Sequence, residues 1–193
     1  MRRLIVASKN PKKTAEIRAV LAPLEEWEVL SLPEDAPDTE ETGATFLENA
    51  AGKAEFYGSR LGGWTVADDS GLEVAALGGR PGIRSARYAP TDAERNRRLL
   101  AELTGVPDPE RGAQFVCAMA LALDGRVRWT AEERVAGRIA GAPAGQNGFG
   151  YDPVFLVPGI EKTMAELEPA EKNRISHRGR ALARLLAHLE ADY

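Results

Sequence analysis

The chain has 193 residues, a formal net charge of −4, 44% hydrophobic residues and 28% charged ones. That length gives one domain a proper core, the composition is that of an ordinary soluble globular protein, and the acidic balance argues against a general nucleic-acid binder. No apolar run approaches the roughly 20 residues that span a bilayer, and the one cysteine, Cys117, can make no internal disulfide and reads as a buried thiol.

Residues 4–7 read as a short buried strand, too brief for the apolar part of a signal peptide, so a cytoplasmic location is expected. Ser8, Lys9, Asn10, Pro11, Lys12 and Lys13 follow. Asn10 is a good N-cap, Pro11 suits the first helical position, and Ile17, Val20, Leu21 and Leu24 recur at helical spacing. A strand, a short turn and a helix start aim backbone N–H groups and a positive dipole end at an anion, and the lysines add charge. The glycines of a Walker loop are missing, and a merely capped helix with surface lysines fits the same pattern. Residues 27–32 alternate as a strand. An acidic loop then carries Glu34, Asp35, Asp38, Glu40 and Glu41 to Gly43. Thr45 and Glu48 have capping-box spacing, and Phe46, Ala50, Ala54, Tyr57 and Leu61 line one face of a helix that Gly62 and Gly63 end. Residues 64–67 form the strand that delivers Asp68, Asp69, Ser70 and Gly71. These are ordinary turn residues, with Gly71 expected to turn the chain sharply. Carboxylates at the carboxyl end of a strand are also well placed to hold Mg²⁺.

Residues 78–82 make a tight loop, and Thr91 with Glu94 opens a further helix that runs to about Leu103. Residues 113–123 and 126–135 read as strands joined by the hairpin turn Asp124-Gly125, with Trp129 in the sheet packing. Residues 137–150 are glycine-rich and expected to be irregular. Phe149 and Tyr151, on flexible backbone, are aromatics of the kind that stack on a base. A short strand at 154–157 and a turn of helix within 164–173 come next. Ser176 is an N-cap candidate for the last helix, whose core face is Ala181, Leu182, Leu185, Leu186 and Leu189, with His188 on its surface. His177 and Arg178 fall in its first turn and oppose the macrodipole, a broken local rule that points to a site. Basic residues among 2–18, acidic ones among 34–48 and basic ones again from Lys172 suit a phosphorylated ligand bound through a metal, or else a solvated surface.

Six stretches together resemble the inosine triphosphate pyrophosphatase family, the non-canonical purine nucleoside triphosphate pyrophosphatases. They are S-K-N-P-K-K from Ser8, E-E-T-G from Glu40, A-D-D-S-G-L from Ala67, P-G-I-R-S-A-R-Y-A from Pro81, G-F-G-Y-D-P-V-F from Gly148 and E-K-N-R-I-S-H-R-G from Glu171. The resemblance implies a single α/β domain over residues 1–193, with two lobes around a long twisted mixed sheet in an ITPase/Maf-like fold and the active site in the cleft between lobes. It implies a homodimer, a Mg²⁺ cofactor, and hydrolysis of ITP, dITP and XTP between the α and β phosphorus atoms to monophosphate and pyrophosphate, cleansing the nucleotide pool. No nucleic-acid or membrane partner is expected.

Carried over residue by residue, the resemblance makes Asp69 catalytic, orienting or deprotonating the attacking water. Glu40 and Asp69 would hold Mg²⁺. Ser8, Lys9, Asn10, Pro11, Lys12 and Lys13 would cradle the phosphates, and Ser70 would contact the ligand. Lys172 would sit on the phosphate or base side and Phe149 would stack on the purine. Asp152, His177 and Arg178 would meet the base's polar edges, the donors of Arg178 suiting a 6-oxo group, and Gly150 and Tyr151 would also bind substrate. Two other readings are a Maf-type pyrophosphatase with different nucleotides and a nucleotide-binding module without turnover. The F-G-Y-D and S-H-R stretches stand against the first, and Glu40 with Asp69 against the second.

Overall fold

Leu4 and Val6 alternate with partly exposed neighbours and are themselves fully buried, which seats their strand, β1 (Arg2–Val6), in the middle of a sheet. In the computed structural model, which describes residues 1–192, β1 pairs in parallel with β2 (Trp27–Ser31) and with β3 (Trp64–Val74). Leu4 stands opposite Val29 on one side and Trp64 on the other. With β4 (Gly112–Leu123), β5 (Arg126–Ile139), β6 (Phe155–Val157) and β7 (Lys162–Thr163) they form an open, mixed seven-stranded sheet in the order β2-β1-β3-β4-β5-β6-β7. The last two pairings, β5 with β6 and β6 with β7, are antiparallel. This is the α/β architecture expected. The helices are α1 (Pro11–Leu21), α2 (Phe46–Leu61), α3 (Asp92–Glu102), α4 (Pro169–Ile175) and α5 (His177–Asp192). Among the described residues no helix is long and apolar enough to cross a membrane.

The chain divides into two compact units. The first comprises Met1–Asp69, Cys117–Glu133 and the chain from Arg178 onward. Its core joins Ile17 and Leu21 of α1, Val66 of β3, Met119 of β4, and Leu182 and Leu185 of α5. The start of α1 is fixed as its sequence demands: the Asn10 side chain accepts from the N–H groups of Lys12 and Lys13, and Pro11 takes the first position. The box at α2 is only half made. Thr45 accepts from the Glu48 N–H, but the Glu48 carboxylate accepts from Ala44 rather than Thr45. Cys117 is fully buried, and burial pushes its thiol up to about 12.

The second unit comprises Ser70–Val116 and Arg134–His177. Leu72, Leu99, Leu103, Phe115, Tyr151 and Phe155 belong to its core. Here the capping box of α3 is complete, with Thr91 and Glu94 bonded reciprocally.

Three expectations change. The D-D-S-G stretch is not a turn, because β3 runs unbroken through it to Val74. Its turn-forming residues yield to pairing, since β3 lies between β1 and β4 in the sheet. The expected irregular stretch loses its first residues to β5, which continues to Ile139. The helical turn expected over 164–173 splits into a 3-10 turn, Met164–Glu166, and α4.

Two glycines of α2 separate intrinsic propensity from packing. A Cβ on Gly52 would meet nothing within 4 Å, whereas one on Gly58 would sit 2.8 Å from the Gly125 backbone nitrogen. Gly52→Ala should therefore raise the unfolding free energy by about 0.5–1 kcal/mol, and Gly58→Ala should lower it by about 1–3 kcal/mol. Urea unfolding of the two variants reads this directly.

Candidate active site

Consecutive side chains of a strand leave on opposite faces. Asp68 therefore shares the face of Val66, which packs in the cluster that α1 and α5 supply, and Asp69 takes the other. The contacts follow this parity. Lys13 Nζ donates to Asp68 Oδ2 at 2.9 Å, and Arg178 donates to the same oxygen from Nη2 at 3.1 Å and from Nε at 3.3 Å. Arg178 Nη1 donates in turn to Glu16 of α1 at 2.7 Å. Asp68 and Arg178 are each 2% exposed. Burial alone would raise the Asp68 carboxyl, but the charges of Lys13, Arg178 and Lys53 outweigh it and hold the group well below the usual carboxylate range. Burial likewise opposes the Arg178 charge, and Asp68 and Glu16 more than offset it.

Asp69 meets α2 instead. Asn49 Nδ2 donates to Asp69 Oδ2 at 3.0 Å, and Asn49 Oδ1 accepts from the Gly43 N–H at 2.8 Å, tying the acidic loop to the same residue. A side chain at Gly43 would run into Asn49 Oδ1, its Cβ only 2.7 Å away. Lys53 Nζ donates to Glu41 Oε1 at 2.8 Å and lies 3.6 Å from Asp69 Oδ1. Burial, with help from Glu41, raises the Asp69 carboxyl over the opposing pull of Lys53, Lys13 and Asn49. Asp69 is thus a stronger base than an ordinary carboxylate, which suits proton abstraction from water. Lys53 keeps its charge: burial lowers its pKa, and Asp69, Asp68 and Glu41 together raise it further.

The Lys53 ammonium sits where a cation shared by Glu41 and Asp69 would sit. Mg²⁺ keeps several waters and takes one or two carboxylates, so this donor pair fits it. A cage of three or more His, Cys, Asp or Glu residues is absent among the described residues. Glu40, the second acid expected on the metal, is exposed, and its neighbour Glu41 shares Lys53 with Asp69. Asn49, Lys53 and Glu16 were not singled out at all. Asn49 and Lys53 lie four apart beside the apolar stripe of α2, and that spacing was the available signal.

The expected phosphate loop leads from β1 into α1. Ser8 Oγ accepts from the Asn10 N–H at 3.2 Å, and Asn10 caps the helix. Pro11 and Lys12 are exposed, and Lys9 pairs with Asp38 at 2.6 Å. A cavity of about 520 Å³ is lined by Ser8, Lys9 and Pro11 together with Arg18 and Ser31 to Glu34.

In the second unit, Lys172 is buried and donates to Asp152 Oδ2 at 2.7 Å, the oxygen that also accepts from the Phe149 N–H at 2.8 Å. The Lys172 ammonium lies 4.8 Å from the centre of the Phe149 ring. Phe149, Ser70 and Gly150 are half-buried. Tyr151 and Asp152, expected to bind substrate, face inward: Tyr151 is a core residue whose hydroxyl donates to the Ser85 carbonyl at 3.0 Å, and Asp152 fastens the loop. His177 is buried and stacks on Phe115 at 4.6 Å. Arg178 also departs from expectation, since its guanidinium is engaged by Asp68 and Glu16.

A family model described as the Ham1 family matches residues 4–188. A dITP/XTP pyrophosphatase of Gloeobacter violaceus is 54% identical over 187 residues, covering 97% of this chain and 94% of the relative. One of Geobacillus kaustophilus is 52% identical over 190 residues, covering 96% and 93%. Among solved structures, a HAM1 protein from Coxiella burnetii superposes with a TM-score of 0.89 at 44% identity, covering 98% of this chain and 99% of the other.

Two arginines of α5 give opposite expectations. Arg178→Met removes a buried charge partner of Asp68 and should cost about 3–5 kcal/mol of stability. Arg184, whose side chain is 55% exposed, makes a surface pair with Glu133 at 2.9 Å. Its change to Met should cost less than about 1 kcal/mol. Chemical unfolding of the two variants checks the contrast.

Proposed function

The chain belongs to the Ham1 family, and from that premise we propose that it is a nucleoside triphosphate pyrophosphatase acting on non-canonical purine nucleotides such as ITP, dITP and XTP. The observation that carries the proposal is the placing of Asp69, a buried carboxylate that Asn49 orients beside Lys53 and Glu41. Asp69 accepts the proton of the attacking water as the water oxygen bonds to phosphorus. The bridge between the α and β phosphorus atoms breaks, leaving monophosphate and pyrophosphate. Asn49 holds the Asp69 carboxylate in orientation through Oδ2.

A hard divalent cation, when bound, neutralises phosphate charge; Asp69 and an acid of the Glu40–Glu41 pair would hold it, and Mg²⁺ suits them. Lys13, fixed on Asp68, brings its charge to the start of α1, where Ser8, Lys9, Asn10, Pro11 and Lys12 complete the phosphate loop. Phe149 stacks on the purine, and Lys172, Ser70 and His177 line the nucleotide side. Arg178 contributes by securing Asp68 and, through it, Lys13. A homodimer and a cytoplasmic location belong to the same reading.

The test is a panel of nucleotides with Mg²⁺. ITP, dITP and XTP should each release monophosphate and pyrophosphate in equal amounts, with a kcat/KM about 10²–10⁴-fold above that for ATP. EDTA should abolish release. Orthophosphate as the first product, or equal turnover of ATP, would contradict the proposal.

A further inference from the structure

The stacking residue Phe149 sits on a loop rich in glycine, Gly148 and Gly150 both having positive φ. Such backbone would ordinarily be loose, and ordering it on binding would weaken affinity. Here it is held from outside by one helix. Asp92 and Asn96 lie four apart on α3 and so share a face. Asp92 Oδ2 accepts from the Gly150 N–H at 2.8 Å, and Asn96 Nδ2 donates to the Gly150 carbonyl at 3.0 Å. Both hydrogen-bonding groups of one glycine are thereby gripped. The grip is itself braced. Asp92 Oδ1 accepts from Arg95 at 2.8 Å, and Arg95 Nε donates to the Ala89 carbonyl at 2.9 Å.

The Asn96 amide shows what the arrangement gives up. Asn96 is 5% exposed, and its Oδ1 is buried with no hydrogen-bond partner among the described residues. Turning the amide over would set that oxygen against the Gly150 carbonyl, acceptor to acceptor, so the orientation is dictated by Gly150. The amide therefore keeps its donor, not its acceptor, on the loop. On the other side of Phe149, its own N–H is fixed by Asp152 at 2.8 Å. The peptide groups before and after the ring are both pinned, and the ring lies between two fixed points.

We infer that Asp92 and Asn96 are positioning residues that hold the Phe149–Gly150 backbone ready, so that the base meets a preformed stacking surface. This rests on the nucleotide-binding reading of Phe149 given above. Neither residue needs to touch the substrate, and the effect lies in binding rather than in the chemical step.

The test pairs hydrogen exchange with kinetics on Asn96→Ala and Asp92→Ala, with Asp92→Asn, which keeps an acceptor, as the conservative variant. In ligand-free protein, amides 149–152 should lose protection in both alanine variants while the core strands keep theirs. The KM for ITP should rise about tenfold, the worth of one lost hydrogen bond, with kcat within about threefold of wild type. The inhibition constant of inorganic tripolyphosphate, which has no base to stack, should not move. Asp92→Asn should restore most of the ITP affinity. Unchanged protection of 149–152 would overturn the inference, as would a KM for ITP that stays put or a tripolyphosphate constant that shifts equally. A wild-type protein that turns over no ITP would instead sink the functional reading, and exchange at 149–152 would still decide whether the clamp exists.

Discussion

A β-strand cannot send two adjacent side chains to the same side. That constraint, applied to Asp68 and Asp69 at consecutive positions of β3, organises the first unit. Asp68 goes to the face covered by α1 and α5 and is met there by Lys13 and Arg178. Asp69 goes to the face of α2 and is met by Asn49 and Lys53. One carboxylate is locked in its charged form by two cations; the other is left more basic than usual. The same dipeptide thus supplies a structural anchor and a reactive group. The strand order β2-β1-β3, with β2 on one side of β1 and β3 on the other, also places both acids beyond the carboxyl end of β1, which stops opposite Val66, where α/β sheets commonly bind ligands.

The anchor explains a feature that looked wrong in isolation. A cation in the first turn of α5 opposes the helix dipole. Arg178 is tolerated there because Glu16 and Asp68 answer its charge, and the bond to Glu16 joins α5 to α1. Lys13 and Glu16 lie three apart on α1, so one turn of helix both delivers a cation to Asp68 and receives one from α5.

Local chemistry made much of this legible in advance. Asn10 and Pro11 at α1, Thr91 with Glu94 at α3, and Asp124-Gly125 between β4 and β5 act within a few residues of where they stand, and each does what its type dictates. Long-range effects were less legible. Asp68 to Gly71 have turn propensity, but strand pairing overrides it. Nothing near Arg178 in the sequence points to Asp68 and Glu16, the carboxylates that fold against it. Composition and spacing alone do not separate the loop aromatics Phe149 and Tyr151, and it is the distant Ser85 carbonyl that claims the Tyr151 hydroxyl. Asn49 and Lys53 were passed over because α2 was read for its apolar stripe and not for the polar residues at its edge.

The division of labour between the two aspartates is open to direct test. Asp68→Asn and Asp69→Asn should be compared side by side, by chemical unfolding and by single-turnover hydrolysis of ITP with saturating Mg²⁺. The account predicts that Asp69→Asn unfolds within about 1 kcal/mol of wild type while hydrolysis falls by about 10²-fold or more. It predicts that Asp68→Asn loses about 3 kcal/mol or more of stability, because Lys13 and Arg178 are left without their shared buried charge. Wild-type hydrolysis by Asp69→Asn, or wild-type stability of Asp68→Asn, would contradict it.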